Sequence, residues 1–454
     1  GRLRLMGAHG DDPSSGRRTH KPCPMFGQAD RRAAALERQR KRRRDLTEHA
    51  RQLASAAADG GSDEGAGNQQ QAPFDAPAAG GASDEAVART ASTTDGMDVA
   101  ADGPSGSSST GHTRLGDGGG RNGGAAFYAA QLMSPEWLLS VPFDLASAWI
   151  VSPRPEGRRM LLVAAGGTTI ARTRVGKATL RHASALPGGR RGGGRAPADA
   201  FSILDCVFHE PTQTYFVLDC MCWKGYSLYD CAYEFRRWWL QQKLEEIGAA
   251  ILERDPQRNK YPIVATPMYA ADSAGLAAAR SHAFGANLPH PQGRDGILLV
   301  HREAHYELGQ TELALLWKDA HCSSYLVDTD AEGNVPKAQF VALRYRAADG
   351  ACVTRDAPEP TALTRLPQTF IDAHASSLRD GMLLRFVVGA GGIDDLKYYG
   401  PGKRGRQPDF LSKILYQRAV YEGRAIAFET LCAPAANDVA THAPEPGPTQ
   451  TQQS

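Results

Sequence analysis

The sequence predicts a fold of paired β-strands with a few helices, on three observations. Short apolar runs recur in pairs around turn residues, as in Met160–Ala164 and Thr168–Ala171 on either side of Gly166 and Gly167. Such pairs read as β-hairpins, because glycine takes the positive φ that a tight turn needs. Helical stretches are few and stand apart from the strand pairs, the clearest being Tyr233–Leu244. The third observation is Asp295–Lys318, DGILLVHREAHYELGQTELALLWK, in which two apolar runs, Ile297–Val300 and Leu313–Trp317, are joined by His301–Glu312. Periodicity alone leaves strand and buried helix open for each run. Taken as strands of one sheet, they put Asp295, Trp317 and Lys318 at strand ends, where side chains can face a groove.

The formal net charge of +2 over 454 residues excludes a uniformly basic nucleic-acid coat, so binding to an anionic partner must come from local clusters. Gly 48 and Pro 28 are concentrated in a few stretches, which predicts much linker around one core of moderate size. The eight cysteines form no C-x-x-C pair, and Cys206, Cys220, Cys222 and Cys231 lie in apolar segments. They read as reduced core thiols, with no metal site and no cofactor expected. His301 and His305 have the i, i+4 spacing of a metal pair but fall in a predicted loop without an adjacent acidic third ligand, and read as structural. No apolar run is long enough to span a bilayer and no signal peptide is seen, which predicts a soluble intracellular protein without membrane contact.

In chain order, residues 1–30 are irregular. Residues 31–56 are predicted as a helix, since Arg31–Ala54 lacks Gly and Pro and places Leu46, Ala50 and Leu53 at helical spacing. Arg38, Arg40, Lys41, Arg42, Arg43 and Arg44 crowd positive charge there, and an acidic partner would relieve the repulsion. A solvated basic face or a nucleic-acid arm fits the same charges. Residues 57–126, rich in Gly, Ala, Ser, Asp and Gln, bury too little to order and read as a disordered tether. Order returns at Phe127 with Leu132, Trp137, Leu138, Leu139, Trp149 and Ile150, opening a core domain over 127–330. Arg154, Arg158, Arg159, Arg172, Arg174 and Lys177 flank the first hairpin and suit either a phosphate cradle or a solvated surface. Strands are predicted over 203–209 and 214–221, and loops over 183–200 and 273–293. Residues 331–433 carry further strands and a closing helix, as an extension of the core domain or a small appendage; 434–454 form a disordered polar tail.

The basic cluster followed by DLTEHARQLA resembles the importin-β-binding segment at the front of nuclear import adaptors. Across Tyr128–Leu244 the short strings QLM, EWL, VP, DL, LPGG, ILDC, QTY, VLD, MCW, YDC and FR stand in the order of the snurportin family, and DG, L, H, HY and W of Asp295–Lys318 extend the match. The resemblance implies an adaptor that grips the 2,2,7-trimethylguanosine cap of spliceosomal small nuclear RNA, joins the ribonucleoprotein to importin-β, shuttles between nucleus and cytoplasm, and returns with an exportin. It also implies the α+β, nucleotidyltransferase-like fold of mRNA guanylyltransferases and ATP-dependent DNA ligases, with antiparallel sheets around a nucleotide groove. Those enzymes form a phosphoramidate on the lysine of a K-x-D-G motif. The counterpart here is Arg154-Pro155-Glu156-Gly157, and a guanidinium does not give up its proton, so no enzyme is expected. A divergent guanylyltransferase-like enzyme is the alternative; an importin-α-like cargo receptor would need helical repeats that do not follow the basic segment.

By the same resemblance the family's cap-stacking tryptophan falls on Trp317 and a second cap-site tryptophan on Trp137. Arg159 and Arg174 fall where phosphates and ribose are held, with Arg154 and Lys318 nearby. The importin-β contacts fall on Arg38, Arg40, Lys41, Arg42, Arg43, Arg44, Leu46 and Leu53. Trp149, Trp223, Trp238 and Trp239 read as core or helix packing. Ser134-Pro135 replaces Leu-Ser before Glu136-Trp137, and Arg154 replaces a small residue, so the pocket wall and its charge differ from the family pattern.

Overall fold

The computed structural model describes residues 27–41, 45–59, 123–190, 200–284, 293–322, 326–328, 334–357, 360–402 and 406–433. The basic stretch folds as two helices, α1 (Gln28–Lys41) and α2 (Thr47–Asp59), where one was expected over 31–56. Residues 42–44 between them, and so Arg42, Arg43 and Arg44, lie outside the described residues, as does 60–122, most of the predicted tether. Asp45 favours the second start, its carboxylate accepting the Thr47 N–H at 2.9 Å. Neither helix stands free of the body. The α2 helix turns Ala50, Leu53, Ala54 and Ala57 into the core, and the Tyr128 hydroxyl donates to the Leu53 carbonyl at 2.7 Å. Burying Leu53 is worth about 1.5–3 kcal/mol.

A short α3 (Gly123–Tyr128) leads into β1 (Met133–Trp137), α4 (Leu145–Ala148), β2 (Trp149–Pro155), β3 (Arg158–Ala165), β4 (Thr168–Thr173) and β5 (Ala178–His182). Then come β6 (Ser202–His209), β7 (Thr214–Trp223), β8 (Tyr226–Ser227), α5 (Tyr233–Ile247), β9 (Ile263–Ala265), β10 (Tyr269–Ala270), α6 (Ser273–Ser281), β11 (Arg294–His301) and β12 (Gly309–Trp317). These strands make two sheets, β1-β12-β11-β2-β10 and β5-β4-β3-β6-β7-β8, with β9 beside β7. Pairing is antiparallel except for β1 with β12 and β9 with β7.

The sheets face each other, which explains the unbroken apolar run of β3. Successive strand residues point to opposite faces. Leu161 and Val163 therefore meet Ile150, Leu298, Val300 and Leu313 of the first sheet, while Met160, Leu162 and Ala164 pack with Leu240 and Leu244 of α5. The outer face of the first sheet is covered by α6, which replaces part of the loop expected over 273–293. Its Asp272 cap accepts the Gly275 N–H at 2.8 Å, and Leu276 and Ala279 are buried.

A third sheet follows, from β13 (Phe340–Arg346), β14 (Ala351–Val353), β15 (Ala362–Arg365), α7 (Gln368–Ala373), β16 (Leu383–Gly389) and β17 (Gly392–Pro401), in the order β15-β14-β13-β16-β17. Its core holds Val341, Leu343, Tyr345, Leu384 and Phe386. The closing helices α8 (Leu411–Tyr421) and α9 (Phe428–Cys432) tie it to the first sheet: Ile414 enters the third core and Leu431 the outer core of the first. The chain is thus α+β with antiparallel sheets. Among the described residues no helix is long and apolar enough to cross a membrane.

Candidate functional site

The ends of β1, β2, β11 and β12 converge, and a bulge at the start of β11 shapes what they present. Arg294 pairs with Pro155 and Ile297 with Pro153, so Asp295 and Gly296 are accommodated where the register shifts. Gly296 holds φ +114°, and a Cβ there would lie 2.7 Å from the Trp317 carbonyl oxygen, so no larger residue fits. The bulge delivers the Asp295 carboxylate between two cations. Its Oδ1 accepts from Lys318 Nζ at 2.5 Å, and its Oδ2 is ion-paired with Arg154, whose Nη1 also donates to the Asp295 carbonyl at 3.3 Å.

Charge in this pocket is strained towards the positive. Burial, and after it the charge of Arg154, brings the Lys318 ammonium down to about 7. Burial and the neighbouring charges of Arg159 and Arg174 bring Arg154 to about 10, so it stays protonated at neutral pH. One carboxylate serves both cations, and an anion entering the groove would relieve them.

Arg159 and Arg174 are placed differently. Arg159, expected to hold phosphate, is committed to the protein: Nε and Nη2 bind the two oxygens of Asp205 at 2.9 and 2.6 Å, and Nη2 also donates to the Met133 carbonyl at 2.6 Å. Burial works against its charge, but Asp205 outweighs burial and raises the pKa. Tyr306 completes this knot, donating to Asp205 at 2.7 Å and accepting the Met133 N–H at 3.0 Å. The knot fixes β1 against β3 and β6. Arg174 is exposed just beyond β4, and it reaches the groove through its charge on Arg154.

The two tryptophans part company. Trp137 pairs with Leu316 in register, so it shares the face of Leu316 and Lys318, while Trp317 points to the other face. Trp137 is half-buried, with Lys318 Nζ 5.6 Å from its ring centroid and the Tyr416 ring at 5.0 Å. Trp317, expected as a groove-facing platform, is 1% exposed among Trp149, Val151, Ile297, Leu299 and Leu431. Its indole N–H donates to the Ile426 carbonyl at 2.8 Å, and Phe428 lies 5.6 Å away, ring to ring. A strand-end position did not decide direction; the alternation of the strand did.

Three contributors escaped sequence reasoning. Tyr416 of α8 hydrogen-bonds both the N–H and the carbonyl of Lys318 and packs on Trp137, and Ser412 accepts the Trp137 N–H at 3.2 Å. Asp205 anchors Arg159. These contacts span 46 to 275 positions, and nothing local signals them.

The basic segment meets acid within its own chain. Arg38 pairs with Glu312 at 3.3 Å, Arg40 with Glu303 at 3.0 Å, Arg31 with Glu136 at 2.9 Å, and Lys41 with Glu37 of its own helix at 3.0 Å. Gln39 donates to the Glu303 carbonyl and accepts the His305 N–H, both at 2.7 Å. Of the apolar importin-β contacts expected, Leu53 is fully buried and Leu46 is half-buried against the core, so in this conformation neither offers a free surface.

Residues 131–318, which contain every groove residue except those of α8, match the family described as "Snurportin1, m3G cap-binding domain"; the match spans under half of the 454 residues. Solved structures that resemble the chain include the ligase domain of LigD from M. tuberculosis, at 12% identity over 62% of this chain and 92% of that one with a TM-score of 0.28. The Chlorella virus DNA ligase-adenylate matches at 10% over 60% and 98%, TM-score 0.25. The ATP-dependent DNA ligase from bacteriophage T7, in complex with ATP, matches at 10% over 61% and 99%, TM-score 0.28. The α+β assignment rests on the observed sheets, and the family likeness on the sequence match. Residues 131–318 of this chain are thus similar to the snurportin m3G cap-binding domain.

Proposed function

We propose that the groove binds the 2,2,7-trimethylguanosine cap of spliceosomal small nuclear RNA and that the chain is a nuclear import adaptor without catalytic activity. The observation that carries this is the sharing of Asp295 by Arg154 and Lys318 beside the Trp137 indole. A cap pairs a cationic, flat base with a polyphosphate. The indole suits the base through stacking and cation–π attraction, worth about 1–3 kcal/mol, and the two cations suit the phosphates. In this reading Arg174 borders the phosphate end, Arg159 holds the groove's wall, and Trp317 supports the sheet from behind. The basic helix α1 links the cargo to importin-β once it leaves Glu303 and Glu312, an exportin recycles the adaptor, and the protein shuttles between nucleus and cytoplasm.

Fluorescence titration with trimethylated and monomethylated cap dinucleotides tests the ligand. Saturable binding that favours the trimethylated cap is expected; equal affinity for the two, or none for either, overturns the reading. One observation favours a second reading. A lysine brought to about 7, as Lys318 is, has the nucleophilicity that covalent nucleotidyl transfer uses. Incubation with α-labelled GTP and magnesium separates the two: the adaptor leaves no label on the denatured protein, whereas label lost in Lys318→Arg establishes the enzyme.

A further inference from the structure

The third sheet carries a second cavity, about 370 Å³, that lies between its outer face and α8, apart from the cap groove. Phe340, Arg385 and Tyr399 line it, with Gln339, Arg406 and Tyr421. Residues that alternate with these, Val341, Leu384 and Phe386, fill the sheet's core, so the outward direction of Phe340 and Arg385 is set by the strand period. At Tyr399 the register slips: Arg385 pairs with Gly400 and Phe386 with Tyr398, leaving Tyr399 as the bulged residue, 61% exposed.

These side chains form a platform. The Phe340 and Tyr399 rings stand 4.8 Å apart at 71°, and the Arg385 guanidinium lies 4.2 Å from the first ring centroid and 5.3 Å from the second. Among the described residues no ion pair or hydrogen bond engages the Arg385 guanidinium. The exposed Tyr399 ring and the adjacent cation together offer a stacking face and a phosphate contact. The acids here are already matched: Asp328 is held by Lys413 at 2.9 Å and Arg406 at 3.1 Å, and Asp409 accepts from Lys413 at 2.9 Å. The remaining charge is positive.

A second observation points the same way. Gln339 is 3% exposed and lines the cavity; its Nε2 donates to the Ile414 carbonyl at 2.8 Å, yet its Oε1 has no hydrogen-bond partner among the described residues. A buried acceptor left unmatched costs about 1–3 kcal/mol, and a ligand N–H or O–H would recover it.

We propose that this cavity binds single-stranded RNA, taking a nucleotide downstream of the cap: a base stacks on Tyr399, Arg385 holds a phosphate, and a base amine or ribose hydroxyl donates to Gln339. Stacking on an aromatic platform with an adjacent cation tolerates any base, which suits a site that follows the cap without reading sequence. The two sites share one helix. Tyr416 of α8 contacts Lys318 and Trp137, and Tyr421, on the next turn of the same helix, lines the second cavity.

The choice of RNA rests on the cap reading, so the test treats the two separately. Binding is measured for a trimethylated cap dinucleotide, a ten-nucleotide single-stranded RNA with that cap, and the same RNA uncapped, against the full chain and its Tyr399→Ala and Arg385→Glu variants. The capped RNA is expected to bind at least tenfold tighter than the dinucleotide, and both variants to lose that increment while keeping the dinucleotide affinity. Capped RNA no tighter than dinucleotide, or an increment that survives both substitutions, overturns the proposal. Uncapped RNA bound through Tyr399 with no affinity for the dinucleotide overturns the cap reading and upholds this one.

Discussion

Lys318 donates to Asp295 across 2.5 Å, and the same carboxylate is ion-paired with Arg154. A single anion thus restrains two cations, and the stronger acid of the two, Lys318, absorbs the imbalance as a pKa near 7.

That imbalance predicts a pH profile for cap binding. With a free-state pKa of about 7, Lys318 is charged below that pH and loses charge above it. Phosphates in the groove raise the pKa, so binding takes up a proton only on the alkaline side. Affinity should be flat from pH 6 to 7 and weaken by up to about tenfold per unit above it. Lys318→Arg, charged throughout, should bind with that component of the slope removed; an unchanged slope places the titrating group elsewhere.

The two tryptophans should separate cleanly. Trp137→Ala should weaken cap binding by about 1–3 kcal/mol, from its half-buried stacking face, with little change in a urea melt. Trp317→Ala should instead lower stability by about 3–5 kcal/mol, because it empties a fully buried site. A Trp317→Ala protein that melts like the parent but fails to bind cap would reverse these assignments.

Arg159 is assigned to the scaffold. Arg159→Met leaves Asp205 buried without its partner, and denaturant melts should show a loss of about 3–5 kcal/mol. The double variant Arg159→Met/Asp205→Leu should recover part of that loss. A single variant of normal stability and weakened cap affinity would return Arg159 to the phosphate site.

The docked α1 should be loosened by charge. Its ion pairs with Glu303 and Glu312 are exposed and worth about 0–1 kcal/mol each. Glu303→Lys/Glu312→Lys should therefore leave the fold intact and speed tryptic cleavage within α1 several-fold, as raised salt should in the parent chain. Equal cleavage rates would show that the Arg31–Glu136 pair and the hydrogen bonds of Gln39 suffice to hold the helix.

Local pattern made much of the fold legible. The hairpins over 158–173 and 202–223, the pair 294–301 with 309–317 and the helix from Tyr233 each have runs whose period and turns decide them. The helix at Ser273 was missed because its small residues carry little apolar signal, although Asp272 offered a cap. The site was legible in its residues and not in its directions. DG and WK marked the right strand ends, but Trp317 faces away by one step of the strand, and Arg159 is held by an aspartate 46 positions on. Docking of α1 and α2 onto the body lay beyond any local signal too, because α1 meets Glu136, Glu303 and Glu312 and α2 buries Leu53 in a core, all built from distant parts of the chain.

The reach of α8 and α9 back to the first sheet bears on how the protein can be handled. A fragment trimmed to residues 131–318 would lose the tyrosine that brackets Lys318 and the Ile426 carbonyl that receives the Trp317 indole. It would leave the far side of that sheet bare where Phe428 and Leu431 now lie, a greasy panel inviting self-association. The family-defined segment is thus a part of a folding unit whose other half is written more than ninety residues downstream.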